Sequence, residues 1–259
     1  MTNTNKTLYI PLFGKSFVSQ RGLFLKDKKA EEIWEKEQFP LKSKSKSKWL
    51  AYYMGIRAAV IDEWTRKQIK NNPNAIILHL GCGLDSRVLR VEHNNLWFDI
   101  DLPEVIDERT RFFKENNNYK MIATDITSNG WLELIPETNN IIVIMEGLNM
   151  YLAPDELKQL FSNLNNHFSH INLIMDCYTS FAAKMSKYKN PINDVGVFEV
   201  FGLDDPQILN CNEFKFTQKL DMTPQKYIDE LAGLEKTIFR KLYAGKTAKK
   251  LYRLYEYSK

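Results

Sequence analysis

The sequence predicts an α/β fold, a doubly wound parallel sheet with an N-terminal helical cap, and three observations predict it. Short apolar, β-branched runs recur from residue 75 onward, each separated from the next by a helical or polar segment. The first run ends in a glycine turn, and the second ends on carboxylates. The 74 residues ahead of the first run have helical rather than alternating apolar spacing.

In chain order, the cap comes first. Leu50, Tyr53, Met54, Ile56, Val60, Ile61 and Trp64 recur near the helical period, which predicts a helix over 49–70 that packs on the sheet or covers the site. Arg57 lies within it. Ile76, Ile77, Leu78 and Leu80 then predict a strand buried on both faces. Gly81 and Gly83 stop that strand and let the backbone turn sharply against a ligand without a Cβ in the way. Asp85 and Ser86 are expected to cap a helix through Arg87, Leu89 and Val91, turning backbone N–H groups towards the ligand. A second strand is expected over 96–100, with Asp99 and Asp101 at its end. Pro103 begins a helix towards Phe113, and Pro154 begins another that carries Leu157, Leu160, Phe161 and Leu164. Further strands are expected over 119–126, 141–148 and 171–178, and a last, antiparallel one over 251–257. The expected organisation is one domain over 1–259: a cap over 1–74 and a core over 75–259, with an insertion around 180–224 that shows no readable motif.

Composition bounds the function. With 259 residues, 44% of them hydrophobic, the chain can bury a sizeable core. No apolar run is long enough to span a bilayer, and the start MTNTNKT lacks a signal-peptide core, so a soluble cytoplasmic protein is expected. Cys82, Cys177 and Cys211 are too widely spaced for a zinc site, a redox pair or an iron–sulfur centre. His93, His167 and His170 show no spacing that calls for a metal, and His79 sits within a buried strand as a structural residue. The net charge of +4 hides an asymmetry: residues 1–74 carry 15 Lys or Arg against 7 Asp or Glu, and the rest carries 21 against 25. Lys42, Lys44, Lys46 and Lys48 form the densest basic run, KSKSKSK. It reads first as a solvated loop and second as a patch that steers an anionic substrate. Without interleaved aromatics it is not an RNA site.

The glycine turn and the carboxylates read as a binder of adenosine. A carboxylate about 20 residues past the turn can accept hydrogen bonds from both ribose hydroxyls, and either Asp99 or Asp101 has that position. The place of the third glycine of a dinucleotide fingerprint holds Ser86, and no Walker lysine follows, which weakens the case for a pyrophosphate. S-adenosylmethionine needs only the turn, a carboxylate for the ribose and groups for its charged ends. Ligands in such sheets lie across the strand C-termini. There the third strand ends in Asp125 and Ile126, placed to meet an adenine amine and ring, and the fourth in Glu146, Asn149 and Tyr151.

The motifs LHLGCGLDSR, WFDIDLPEVIDER and EGLNMYL, preceded by an arginine in a helix, resemble the leucine carboxyl methyltransferase and polyketide O-methyltransferase family, over roughly residues 49–168. The resemblance implies a Rossmann-like class I methyltransferase fold, S-adenosylmethionine as cofactor, and methyl transfer to oxygen. It also implies roles. Arg57 would hold the methionine carboxylate, Gly81 and Gly83 would admit the cofactor, and Asp101, aligned with the family's DLP, would bind the ribose in preference to Asp99. Asp125 and Ile126 would bracket the adenine, Glu146 would contact the methionine end, and Tyr151 would border the acceptor.

Each role has a plainer rival. Arg57 can pair with Asp62 or Glu63 on its own helix, Glu146 and Asp125 can cap helices, Tyr151 can pack in the core, and Cys82 reads as a small buried residue. The chemistry is expected to be catalysis by orientation, with Arg57 and Tyr151 the side chains nearest the acceptor. A carboxylate acceptor needs no base; a phenol or alcohol does, and the sequence singles out none among Tyr151, Glu146 and the histidines. The expected partner is a small, polyketide-like or other natural-product acceptor, with no membrane. Nucleic-acid methylation lacks its acidic-or-Asn, Pro, Pro, aromatic tetrad after the fourth strand. The alternatives are a protein C-terminal carboxyl methyltransferase, an NAD-dependent oxidoreductase and a cofactor-binding non-enzyme.

Overall fold

Three helices precede the sheet: α1 (Tyr9–Gln20), α2 (Lys28–Glu37) and α3 (Lys48–Asn71). The computed structural model describes residues 5–37, 39, 41, 44–189, 192–193, 196–197 and 199–259; Lys42 of the basic run and Phe198 of the insertion lie outside them. The core then alternates: β1 (Ile76–Leu80), α4 (Arg87–Arg90), β2 (Trp97–Asp101), α5 (Pro103–Thr110), β3 (Tyr119–Ala123), β4 (Asn140–Met145), α6 (Pro154–His167), β5 (His170–Tyr178) and α7 (Ser180–Lys189). It closes with β6 (Lys215–Leu220), α8 (Gln225–Ile228), α9 (Gly233–Tyr243) and β7 (Tyr252–Ser258).

The seven strands form one sheet in the order β3-β2-β1-β4-β5-β7-β6. β1 to β5 are parallel, and β7 runs antiparallel to both β5 and β6. The order reverses between β1 and β4, and ligands of doubly wound sheets lie outside the strand C-termini at such a point. Period-two alternation sorts β1 between two cores. Ile77 faces Tyr52, Ile56, Ile61 and Trp64 of α3, while Ile76, Leu78 and Leu80 face Leu157, Leu160, Phe161 and Leu164 of α6. Each such side chain removed from water contributes about 1.5–3 kcal/mol, so the strand ends are held on a well-packed floor.

Several boundaries differ from the sequence reading. The strands expected to reach 126 and 148 stop at Ala123 and Met145. Asp125 ends the first by accepting from Thr127 N and Oγ1 at 2.8 and 2.7 Å, a side-chain turn that replaces the ladder. The helix expected through Val91 is a single turn, with Val91 already extended. Asp85 does accept from Arg87 N at 3.1 Å, but Ser86 turns its hydroxyl to Asp27 rather than capping. Within the insertion the fold places β6, an edge strand whose sequence KFTQKL has little apolar alternation because most of it is exposed. Among the described residues no helix is long and apolar enough to cross a membrane.

Candidate active site

A cavity of about 930 Å³ lies over the C-terminal ends of β1, β2 and β4. Its floor is the turn after β1, and α1, α3 and the segment before α1 contribute Thr7, Leu8, Pro11, Lys15, Met54 and Arg57 to its walls. The volume is at the upper end of the ~300–1,000 Å³ usual for small-molecule sites. Gly81 and Gly83 both line it with φ of +65° and +50°, a backbone region that L side chains avoid. A Cβ on Gly81 would lie 2.9 Å from Leu148 Cδ1, so this turn admits neither the conformation nor the bulk of a side chain.

The methionine-like end of the cavity is built from buried charge. Arg57 reaches across from α3 to Glu146 Oε1 at 2.9 Å and, from its other terminal nitrogen, to Asp176 Oδ2 at 2.8 Å and the Tyr252 hydroxyl at 3.0 Å. Its expected rivals are engaged elsewhere: Asp62 binds Arg87 and Arg90, and Glu63 binds Lys226. Glu146 also binds Arg87 and lies 3.4 Å from Lys15 Nζ, which sits 2.9 Å from Asp85. Arg90 ties Asp85 to Asp27 and Asp62. Counting lysine, arginine and carboxylate groups, this cluster joins four cations to five carboxylates, one carboxylate in excess. Such buried pairs add little net stability, but breaking one is costly, so they fix geometry.

Protonation follows the same contacts. Burial pushes the Glu146 carboxyl up, but Lys15, Arg87 and Arg57 outweigh it and hold the group well below the usual carboxylate range. Burial likewise opposes Asp85, and Arg87, Arg90 and Lys15 hold it down. Asp176 goes the other way, because burial outweighs Arg57 and the Tyr252 hydroxyl. Burial also raises the hydroxyls of Tyr53, Tyr151 and Tyr252 and the Cys82 thiol, which leaves Cys82 an inert packing residue.

The two aspartates at the end of β2 separate cleanly. Asp101 lines the cavity, accepting from Gly83 N at 2.7 Å and Leu102 N at 2.8 Å, and burial raises its carboxyl. Asp99 does not line it, which corrects its candidacy as a ribose ligand. Asp99 shares a face of β2 with Asp101 but lies two residues further from the strand end, where it is fully buried against Arg109, with bonds from Trp97 Nε1 at 2.9 Å, the Tyr119 hydroxyl at 2.8 Å and His79 Nδ1 at 3.1 Å. His79, expected as a structural residue, is buried in β1 and also lines the cavity.

Arg57, Gly81, Gly83, Asp101, Asp125, Ile126, Glu146 and Tyr151 all line the one cavity. Asp125, Ile126 and Leu102 lie at its β2–β3 side, and Tyr151 lies on a 3-10 turn after β4. Sequence reasoning missed Lys15, Asp176 and Tyr252. Asp176 was findable, as a lone carboxylate in the apolar run 171–178. Tyr252 and Lys15 carried no local signal, because their partners lie 70 residues or more away along the chain. Among the described residues no cluster could hold a metal ion.

The family model of leucine carboxyl methyltransferases matches residues 2–165, which includes every lining residue named in the sequence but ends before Asp176. Over 186 residues the chain is 27% identical to the tetracenomycin polyketide synthesis O-methyltransferase TcmP of Streptomyces glaucescens, spanning 70% of this chain and 69% of that protein. Over 185 residues it is 31% identical to the S-adenosyl-L-methionine-dependent methyltransferase dpfgK of Gibberella zeae, spanning 65% of this chain and 62% of that one. Its fold is similar to the crystal structure of the N-methyltransferase NodS from Bradyrhizobium japonicum in complex with S-adenosyl-L-homocysteine, with a TM-score of 0.51 at 11% identity over 78% of this chain and 87% of the other. At that identity the likeness speaks for the fold alone.

Proposed function

The chain belongs to the leucine carboxyl methyltransferase family, and from that premise we propose that it moves the methyl group of S-adenosylmethionine to an oxygen, hydroxyl or carboxylate, of a small acceptor held in the 930 Å³ cavity. The observation that carries the reading is the cofactor-shaped half of that cavity: two positive-φ glycines beside the Asp101 carboxylate, with Arg57 and an excess carboxylate at the far end. These residues fit the group. The excess carboxylate complements an ammonium, Arg57 and Lys15 complement a carboxylate, and Asp101 accepts from a ribose once Gly83 N gives way.

Bound S-adenosylmethionine supplies a methyl carbon made electrophilic by its sulfonium. The protein's part is to orient and to exclude water. Arg57 and Lys15 hold the methionine end, and Asp101 the ribose. Asp125 and Ile126 hold the adenine, and Gly81 lets the chain approach closely. Glu146 is no general base: three cations hold it ionised, and its affinity for a proton is too low to draw one from a phenol. Tyr151 is none either, because burial keeps its own proton on. Both features favour an acceptor that arrives ionised or ionises easily, which places a carboxylate or an acidic phenol ahead of an alcohol.

The small-molecule reading is supported by the cap, from which Thr7, Leu8, Pro11 and Leu50 wall the N-terminal side of a cavity of small-molecule size. Incubation with methyl-labelled cofactor and a panel of aromatic acids and phenols tests it. Label should appear on oxygen, and alkali releases labelled methanol from an ester but not from an aryl ether; label on nitrogen or carbon, or only on a peptide C-terminus, would refute the proposal.

A further inference from the structure

The basic run that the sequence left unexplained is divided by the fold. Lys46 Nζ lies 5.6 Å from the centroid of the Trp34 ring. Lys48 Nζ lies 4.8 Å from the Trp49 ring and 2.8 Å from a carboxylate oxygen of Glu235. Lys44 has neither kind of partner. It is exposed, lines the cavity, and among the described residues no carboxylate oxygen comes within 4 Å of its amine. The other cations on the cavity wall, Lys15 and Arg57, are already bound to Asp85, Glu146 and Asp176.

Its place is also informative. Ser47 and Leu50 follow it on the same wall, and Leu50, Ile192 and Tyr151 belong to one apolar cluster with Leu41, three residues before Lys44. On the methyl-transfer reading, in which Tyr151 borders the acceptor, that is the acceptor side of the cavity. Among the described residues carboxylates outnumber cations on the cavity wall, with Asp85, Asp101, Asp125, Glu146 and Glu156 against Lys15, Lys44 and Arg57. An anionic acceptor would be repelled by that wall unless a free cation met it on the acceptor side.

We infer that Lys44 is the specificity-determining residue of the acceptor site, and that it selects an aromatic acceptor carrying a carboxylate over a neutral one of the same shape. The inference rests on the methyl-transfer reading above. A single charge-assisted contact of this kind gives about a tenfold preference, reduced by salt because Lys44 is exposed.

The test uses the full chain saturated with S-adenosylhomocysteine, with saturation checked by calorimetry, and two fluorescent probes, 6-hydroxy-2-naphthoate and its neutral isostere 6-hydroxy-2-naphthamide. The wild type should bind the naphthoate about tenfold more tightly at low salt. Lys44→Met should bring the naphthoate down to the amide without changing the amide, and Lys44→Arg should keep the preference. A preference that survives in Lys44→Met, or none in the wild type, or no binding of either probe, overturns the inference while leaving the cofactor reading intact. Failure of S-adenosylhomocysteine to bind would overturn both.

Discussion

Glu146→Gln probes the centre of the charge cluster with a change of charge and almost none of shape. The carboxylate lies 2.9 Å from Arg57, 3.4 Å from Lys15 and in direct contact with Arg87, all of them buried. Removing one partner from a buried ion pair costs about 3–5 kcal/mol. Here the cost should fall at the lower end, about 3 kcal/mol, because the cluster holds one carboxylate in excess and the amide oxygen still accepts one bond. For a chain of this size that corresponds to a fall in Tm of roughly 6–12 °C at neutral pH. The pH dependence makes the prediction specific. The folded-state pKa of Glu146 is depressed below its ordinary 4.5, so its contribution is fully present above that value and is lost as pH falls through the folded pKa. Thermal melts from pH 8 to 3.5 should therefore show a constant gap between wild type and variant down to about pH 5, then a narrowing one. A Tm equal to wild type at pH 7.5, or a gap that stays constant to pH 3.5, would show that Glu146 is not the electrostatic hub described.

Substitutions at four other positions separate structure from chemistry. Asp101→Ala should lower affinity for S-adenosylmethionine roughly 10- to 100-fold in calorimetry, whereas Asp99→Asn should leave that affinity near wild type in the folded fraction while costing about 3–5 kcal/mol in denaturant melts, since it breaks the buried pair with Arg109. Because burial raises the Asp101 carboxyl, cofactor affinity should begin to fall at a higher pH than an ordinary aspartate would give, and Asp101→Asn should flatten that profile. Gly81→Ala should abolish cofactor binding and cost at least about 1–2 kcal/mol from its positive φ alone; wild-type affinity would refute the close approach of the turn. Tyr151→Phe should retain kcat within about threefold if orientation rather than base catalysis operates; a loss of a hundredfold or more, together with loss of the rise in rate with increasing pH, would make Tyr151 the proton acceptor.

The sheet was legible because its strands are buried on both faces. Ile76–Leu80 and Asn140–Met145 have runs that no exposed element carries. β7 was legible from its alternating tyrosines and leucine, yet β6, its edge partner, was not, since an exposed edge has no core face to pattern it. In the site, Asp101 and Glu146 could be placed from the strand ends, whereas Arg57 stood out only through the family resemblance. Local sequence does not record a meeting of distant elements. Lys15 docks from α1 onto Asp85 and Glu146, and Asp176 of β5 and Tyr252 of β7 close on Arg57, each through a contact that exists only once the chain is folded. Asp99 was open as a ligand for the complementary reason: it shares a face of β2 with Asp101, and what sets it apart is its depth below the strand end and its buried partner Arg109 on the following helix.

The central claim is that this cavity is an S-adenosylmethionine site, and isothermal calorimetry of the purified chain with S-adenosylmethionine, S-adenosylhomocysteine and NAD tests it most directly. The account predicts one-site binding of the first two, weakened by Asp101→Ala, and no heat with NAD. Binding of NAD, or binding of S-adenosylmethionine unaffected by Asp101→Ala, would contradict it.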